Sequence, residues 1–300
     1  MDKQAKRHKK GLSVKMKNNI FGYSLLIPSI IFLGLFTFYP VFKSIRLSLY
    51  SGPLTRMEFS GLDQYKNVFT DSLFHKVLMN NIIFLIGTVP TSIFLAMYLA
   101  IWVNKNIRGS SLLRASFFYP TVVPLIAVAN IWLFIYTPKY GLMARFLNYV
   151  SLDSVNWLGN PKLAMIALIM MIIWKDAGFY MIFYLAGLQN LPSDVYEAAL
   201  IEGAKPFQMF RHITFPLLMP TTLFVMIVAI TNSFKNVDHL YIMTKGGPDN
   251  ATNLLLYYIY EVAFTNWDLG KAAVLTLVLI AILLTVTAFN YLVLDKRIHY

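Results

Sequence analysis

The chain has no cysteine among its 300 residues. Disulfides, cysteine-ligated zinc and thiol chemistry are therefore excluded, while nothing about redox compartment follows. Charge is scarce as well: 13% of residues are Asp, Glu, Lys or Arg and 57% are hydrophobic, where soluble domains carry about 25% and 45–50%. Such a chain has too little polar surface to cover itself in water, so its solvent is lipid. Acidic residues are the scarcer sign, 14 against 26 basic ones, for a net charge of +12. A surplus of that size is a usual mark of nucleic-acid binding. Here, however, Lys3, Lys6, Arg7, Lys9, Lys10, Lys15 and Lys17 crowd into the first 19 positions, and most other basic residues flank apolar runs. An anchor against anionic lipid explains that distribution better, and no nucleic-acid partner is expected. Catalytic patterns are missing too. His8, His75, His212, His239 and His299 stand outside the centres of the apolar runs, and neither His-Glu-x-x-His nor Gly-x-Ser-x-Gly occurs. Without Gly-x4-Gly-Lys-Ser/Thr there is no loop to cradle ATP. Neither an enzyme nor a metal site is expected.

What the chain does have is long apolar runs. A helix needs about 20 apolar residues to cross a bilayer, because backbone groups in hydrocarbon must pair within the segment. Five runs free of Asp, Glu, Lys and Arg reach that length: 20–42, 77–104, 115–137, 213–234 and 272–294. A sixth, 163–188, is interrupted only by Lys175 and Asp176. The expectation is an all-α membrane protein with six transmembrane helices. The first run is too long for a signal-peptide core and no Ala-x-Ala cleavage pattern follows it, so it is expected to be a retained span. Basic residues are denser in 1–19, around Lys105, Arg108, Arg114, Lys205 and Arg211, and at Lys296 and Arg297 than in the intervening loops. That bias places both termini in the cytoplasm. The organisation is then a basic cytoplasmic tail (1–19), a membrane domain (20–295) and a short cytoplasmic tail (296–300), multi-pass in the cell membrane.

Between the fourth and fifth spans lies a segment, 191–216, with a clear plan. Pro192, Ser193 and Asp194 are helix-start residues, and Asp194 with Glu197 has the spacing of a capping box. Gly203 suits the left-handed position that ends a helix. Pro206 fits the first turn of a second helix, which Pro216 would end or kink. Two helices of about nine residues, each roughly 13 Å long, make an elbow. Helices so short are marginal alone in water, and Ala198, Ala199, Phe207 and Phe210 would be half exposed. The elbow needs something to pack on: its own span ends, or a partner protein approaching closely over its small residues.

The run Glu197-Ala198-Ala199, with Gly203, Ile213 and Pro216, resembles the cytoplasmic Glu-Ala-Ala motif of ABC importer permeases. Glu202 stands where the family usually has Asp, and Phe215 where it usually has Leu. Other stretches are similar to the carbohydrate-importer branch, the maltose and glycerol-3-phosphate type. They are Pro28, Phe38-Tyr39-Pro40 and Ser48; Gly61-Leu62-Asp63-Gln64-Tyr65; Phe118-Tyr119-Pro120 and Trp132; Thr244-Lys245-Gly246-Gly247-Pro248, Thr252 and Tyr257-Tyr258-Ile259-Tyr260. The resemblance implies a type I importer permease fold whose elbow is the coupling helix, seated in a groove of a cytoplasmic ATPase. Glu197, Ala198, Ala199, Glu202, Gly203, Ala204, Phe207, Ile213 and Pro216 would form that contact. It further implies a second permease subunit in a heterodimer, a dimer of ABC ATPase subunits, and an extracellular or periplasmic solute-binding protein. ATP and Mg would sit on the ATPase, with no cofactor on this chain. The implied cargo is a mono- or oligosaccharide, with glycerol-3-phosphate or a phosphodiester as the alternative.

A charge near the bilayer centre costs on the order of 2.5–3.5 kcal/mol and usually faces a cavity or a partner charge. Lys175 and Asp176 lie at that depth. Neighbours on a helix point about 100° apart, too far to satisfy each other fully, so cavity lining and an ion pair with a neighbouring span both stay open. Ser233 and Asn236, three apart, share a helix face for helix–helix hydrogen bonding or for a pathway. The resemblance places Asp176, Phe179, Ser233 and Asn236 at positions that line the sugar site in some members. Trp174 could stack on a sugar ring or pack against neighbouring spans. The rival class, an ion-coupled secondary transporter, would be expected to show several intramembrane acids and repeated broken helices. Asp176 is a single acid, and the elbow would go unexplained.

Overall fold

The computed structural model describes residues 14–52, 55–105 and 109–290. The basic stretch before Val14, Arg108, and the segment 291–300 with Lys296 and Arg297 lie outside the described residues. The first helix, α1 (Val14–Leu33), already begins inside the stretch expected as a tail, and continues through a π-turn at Gly34–Phe38 into α2 (Tyr39–Leu47). Pro40 has no N–H to give the carbonyl four residues back, and the wider π-turn absorbs that loss. From Phe21 to Leu33 every side chain is exposed, an apolar surface that lipid can cover. Within this span it is α2 that packs on the bundle, against the last helix.

A two-residue antiparallel ladder, β1 (Tyr50–Ser51) with β2 (Glu58–Phe59), is a small departure from the all-α expectation. It leads to α3 (Asp63–Thr70) and α4 (Ser72–Asn104). Asp71 caps α4 by accepting from the Leu73 N–H at 2.8 Å. Next come α5 (Ser110–Val122), α6 (Leu125–Tyr136), α7 (Leu142–Tyr149) and the long α8 (Pro161–Gln189). The elbow is α9 (Ser193–Ile201), α10 (Pro206–Met209), a π-turn at Phe210–Thr214 and α11 (Phe215–Leu217). The chain ends through α12 (Met219–Lys235), α13 (Asp238–Met243), α14 (Leu255–Tyr260), a π-turn at Glu261–Thr265 and α15 (Leu269–Phe289).

Four helices among the described residues are long and apolar enough to cross a membrane by themselves: Phe21–Leu47, Ser72–Asn104, Pro161–Gln189 and Leu269–Phe289. The expected third and fifth spans are broken. The first pair, α5 and α6, bends by 98°, and the helices on either side of Leu218 bend by 65°. Six spans result only if each bent pair counts as one. Proline explains the first break: a residue before proline is pushed out of the helical region, and Val123, before Pro124, is extended at φ −74 and ψ 130. At the second, Pro216 and Pro220 flank the bend and remove two donors within five residues.

The centre of the bundle is α4 against α8, with α5 and α12 packed beside them. Gly178 lets α5 cross α8 at backbone distance, since a Cβ there would lie 1.8 Å from the Phe117 carbonyl oxygen. At the end of the bundle away from the elbow, Asp71 joins three elements. It accepts from Lys271 Nζ of α15 at 2.7 Å and from the Tyr258 hydroxyl of α14 at 3.2 Å. Burial alone would raise its pKa, but these bonds and the Leu73 N–H outweigh that and hold the carboxyl below its ordinary value. The Gly246-Gly247-Pro248 cluster is a turn, as its composition predicts: Thr252 donates to the Gly247 carbonyl at 2.7 Å.

Candidate functional site

Lys175 and Asp176 turn out to do different work. Lys175 is 8% exposed, and its Nζ donates to the Pro120 carbonyl at 3.1 Å and the Val123 carbonyl at 3.0 Å. Those carbonyls end α5, where the chain bends and Pro124 has no N–H to offer. An ammonium also suits the negative end of a helix dipole. Lys175 thus staples the broken span to α8. No ion pair links it to Asp176 among the described residues.

Asp176 instead lines a small cavity with Ser233 and Asn236; Thr88 and Ser92 of α4, Tyr180 of α8 and Asn232 of α12 complete its polar wall. Asn232 donates to the Tyr180 hydroxyl at 3.3 Å, and the Ser233 hydroxyl donates back to the Ile230 carbonyl at 2.7 Å. Asn236 is not on a continuous helix with Ser233 as the spacing suggested. It caps α12 with ψ 100, so the last carbonyls of that helix lie next to the cavity. The space inside is about 10 Å³, room for one water at most. A larger molecule is admitted only if α4, α8 and α12 part.

Phe179 does not join this wall: it packs edge-on against Phe183, ring centroids 5.1 Å apart at 87°. Nor does Trp174 face the cavity. It stands edge-on to Trp132 of α6 at 5.7 Å, the packing alternative. Thr88, Ser92 and Tyr180 were not picked out from the sequence. The signal was there: Thr88 and Ser92 are spaced i, i+4 within an apolar run, and Tyr180 follows Asp176 by four.

In the elbow, Gly203 takes φ +75. Its N–H bonds the Leu200 carbonyl and the Ala204 N–H bonds the Ala199 carbonyl, both at 3.0 Å, which is the Schellman pattern. The expected Asp194–Glu197 box is not formed, because Pro192 is the capping residue and no side-chain cap bond occurs. The side-chain closure lies on the second arm, where Gln208 Oε1 accepts from the Lys205 N–H at 2.8 Å, with Pro206 in the first turn. Tyr196 and Thr214 join their hydroxyls at 2.9 Å and pin the two arms together. Ala199 is buried and Ala204 and Ile213 are half-buried, while Glu197, Ala198, Glu202 and Pro216 are exposed. The tip is apolar and bare: Leu200 is 60%, Ile201 88% and Phe207 69% exposed. Leu200 and Ile201 were missed, since in the sequence they read as ordinary helix interior.

An α-helical membrane bundle with two broken spans, an intramembrane polar cavity and a bare-tipped elbow defines a transport component. Over residues 92–300 the chain matches the binding-protein-dependent transport system inner membrane component family. It belongs to that family. It is 31% identical to the sn-glycerol-3-phosphate transport system permease protein UgpA of Agrobacterium fabrum, over 96% of this chain and 99% of that one. It is 32% identical to the trehalose/maltose transport system permease protein MalF of Thermococcus litoralis, over 89% of this chain and 92% of that protein. In fold it matches a chain in the crystal structure of a bacterial alginate ABC transporter in complex with alginate pentasaccharide-bound periplasmic protein. The TM-score is 0.82 at 21% identity, covering 92% of this chain and 94% of the other. The fold is that of an ABC importer permease.

Proposed function

We propose that this chain is the permease subunit of an ATP-driven importer that moves a mono- or oligosaccharide across the cell membrane. The observation that carries this reading is the elbow. Three large apolar side chains are exposed at the tip of a segment fixed by a Schellman end and a Tyr196–Thr214 bond. Bare apolar surface of that kind marks a protein contact; Leu200 and Ile201 stand bare at the turn, while Phe207 also borders an opening against α4 and α12. The contact would be a cytoplasmic ATPase, one of a dimer, holding the ATP and Mg that this chain has no loop to bind. The elbow end is then cytoplasmic. At the other end a solute-binding protein delivers the sugar, as a periplasmic protein accompanies the alginate transporter of similar fold. A second permease subunit would complete the pathway around the Asp176 cavity. ATP closes the ATPase dimer, the elbows move with it, and the cavity opens to one side or the other. Such a shift requires that ATP and sugar each bind one state better than the other.

Sugar is favoured over a phosphorylated cargo by what faces the cavity. Its one charged side chain is the Asp176 carboxylate, and the neighbouring Lys175 ammonium is spent on the α5 carbonyls. A phosphate would meet like charge there, whereas sugar hydroxyls can donate to it. The elbow assignment is tested with Glu197→Lys and Gly203→Val in the assembled transporter. Both should abolish uptake while the protein still inserts, with ATPase activity lost or unresponsive to loaded binding protein. Normal uptake by both would overturn it.

A further inference from the structure

Next to the cavity's Asn236, on the side away from the elbow, α13 and α14 frame a second and larger opening. This cleft of about 440 Å³ is lined by Asp238, Tyr241, Tyr257, Tyr260 and Phe264, with the aliphatic Val237, Leu256 and Ile259 between them. Tyr241 stands edge-on to Tyr260 at 5.7 Å and 87°, and Tyr260 lies 5.3 Å from Phe264 at 36°. Tyr241, Tyr260 and Phe264 are 49%, 40% and 63% exposed. Asp238 is exposed at the start of α13 and makes no ion pair among the described residues. Flat ring faces can take the C–H face of a sugar, while tyrosine hydroxyls and a carboxylate at the rim take its hydroxyls. The volume lies within the range of small-molecule sites, in the same conformation that leaves the Asp176 cavity about 10 Å³.

We propose that the cleft between α13 and α14 is a second carbohydrate subsite, which holds the sugar on its way to the Asp176 cavity. This rests on the reading of that cavity as the sugar site. The site would take a neutral mono- or disaccharide unit, one ring stacked against Tyr241, Tyr260 or Phe264. Val237 and Asp238 directly follow Asn236 in the chain, so a sugar leaving the cleft meets the cavity wall next.

With no native cysteine in the chain, Ile259→Cys gives this subunit a single thiol on the cleft wall. The complete transporter is reconstituted in nanodiscs, its other subunits freed of reactive cysteine. Maleimide labelling is timed with maltotriose, trehalose or lactose, and with glycerol-3-phosphate as control. At least one sugar should slow labelling saturably, about sixfold once its concentration is about five times its dissociation constant. Adding Tyr241→Ala and Tyr260→Ala should remove that protection. Rapid labelling unchanged by every sugar would overturn the subsite. So would slow labelling without sugar, which would mean that lipid headgroups or the second permease cover the rings. Asp176→Asn separates the two sites. Protection surviving alongside unchanged uptake constants would leave the cleft standing and remove the cavity. Altered constants without protection would do the reverse.

Discussion

Lys175 should act as a staple for α5 independent of Asp176, and a double-mutant cycle of the two residues tests this. Lys175→Met keeps the stem and removes the ammonium, so the Pro120 and Val123 carbonyls lose donors at 3.1 and 3.0 Å. Hydrogen bonds from a charged donor are worth about 1.5–3 kcal/mol each, so the loss is roughly 3–6 kcal/mol. Removing a charge held at membrane depth returns about 2.5–3.5 kcal/mol. The net change then lies between about −0.5 and 3.5 kcal/mol, centred on about 1.5 kcal/mol of destabilisation, much less than the bonds alone suggest. If Lys175 serves α5 and Asp176 serves the cavity, the two share no partner, but as chain neighbours their charges still attract. The double variant should then depart from the sum of the singles by less than about 1 kcal/mol. Thermal unfolding of the purified transporter, read for wild type, both singles and the double, measures this. A double variant more stable than Lys175→Met alone by over about 1 kcal/mol would show that the two are a structural pair. Lys175 would then be a charge partner of Asp176 rather than a staple for α5.

Gly178→Ala should push α5 off α8, since its Cβ would sit 1.8 Å from the Phe117 carbonyl oxygen; overpacking of this kind costs about 1–3 kcal/mol, read as a lower unfolding temperature. Asp71→Asn should destabilise the tie between α4, α14 and α15 by roughly 1 kcal/mol at neutral pH. Because the folded carboxyl titrates below its unfolded value, the wild-type advantage is full above about pH 4 and vanishes as pH falls through the folded pKa. An advantage that grew in acid would contradict this. For topology, an impermeant maleimide should label Asn250→Cys and not Glu202→Cys on intact cells, and the opposite pattern would invert the proposed orientation.

Much of this architecture was legible because lipid imposes a crude rule, about 20 apolar residues to a span. That rule found the six apolar segments but not their breaks. Pro124 was visible in the run 115–137, yet whether a proline kinks a span or turns the chain by 98° depends on a donor for the freed carbonyls. That donor, Lys175, comes from 55 residues away. Local chemistry was read well at Gly203 and Pro206, where φ preference and a missing N–H act on the chain itself. It failed at Asp194, because Pro192 took the capping position. At the cavity, Asp176, Ser233 and Asn236 do come together. Phe179 does not, since its ring found Phe183 one helical turn along its own helix. Side-chain direction around a buried helix is set by tertiary neighbours, which sequence spacing does not contain.

The central proposal is that the Asp176 carboxylate contacts sugar in an ATP-driven permease. Proteoliposomes carrying the complete transporter, wild type or Asp176→Asn, are assayed for uptake of the sugar that its binding protein retains. ATP hydrolysis is followed in parallel. Each hydroxyl bonded to an ionised acceptor contributes about 1.5–3 kcal/mol, so Asp176→Asn should raise the apparent substrate constant by roughly tenfold or more. Expression and basal ATPase activity should stay at wild-type levels. Uptake that proceeds without ATP, or an unchanged substrate constant with a fall only in folded yield, would contradict the account.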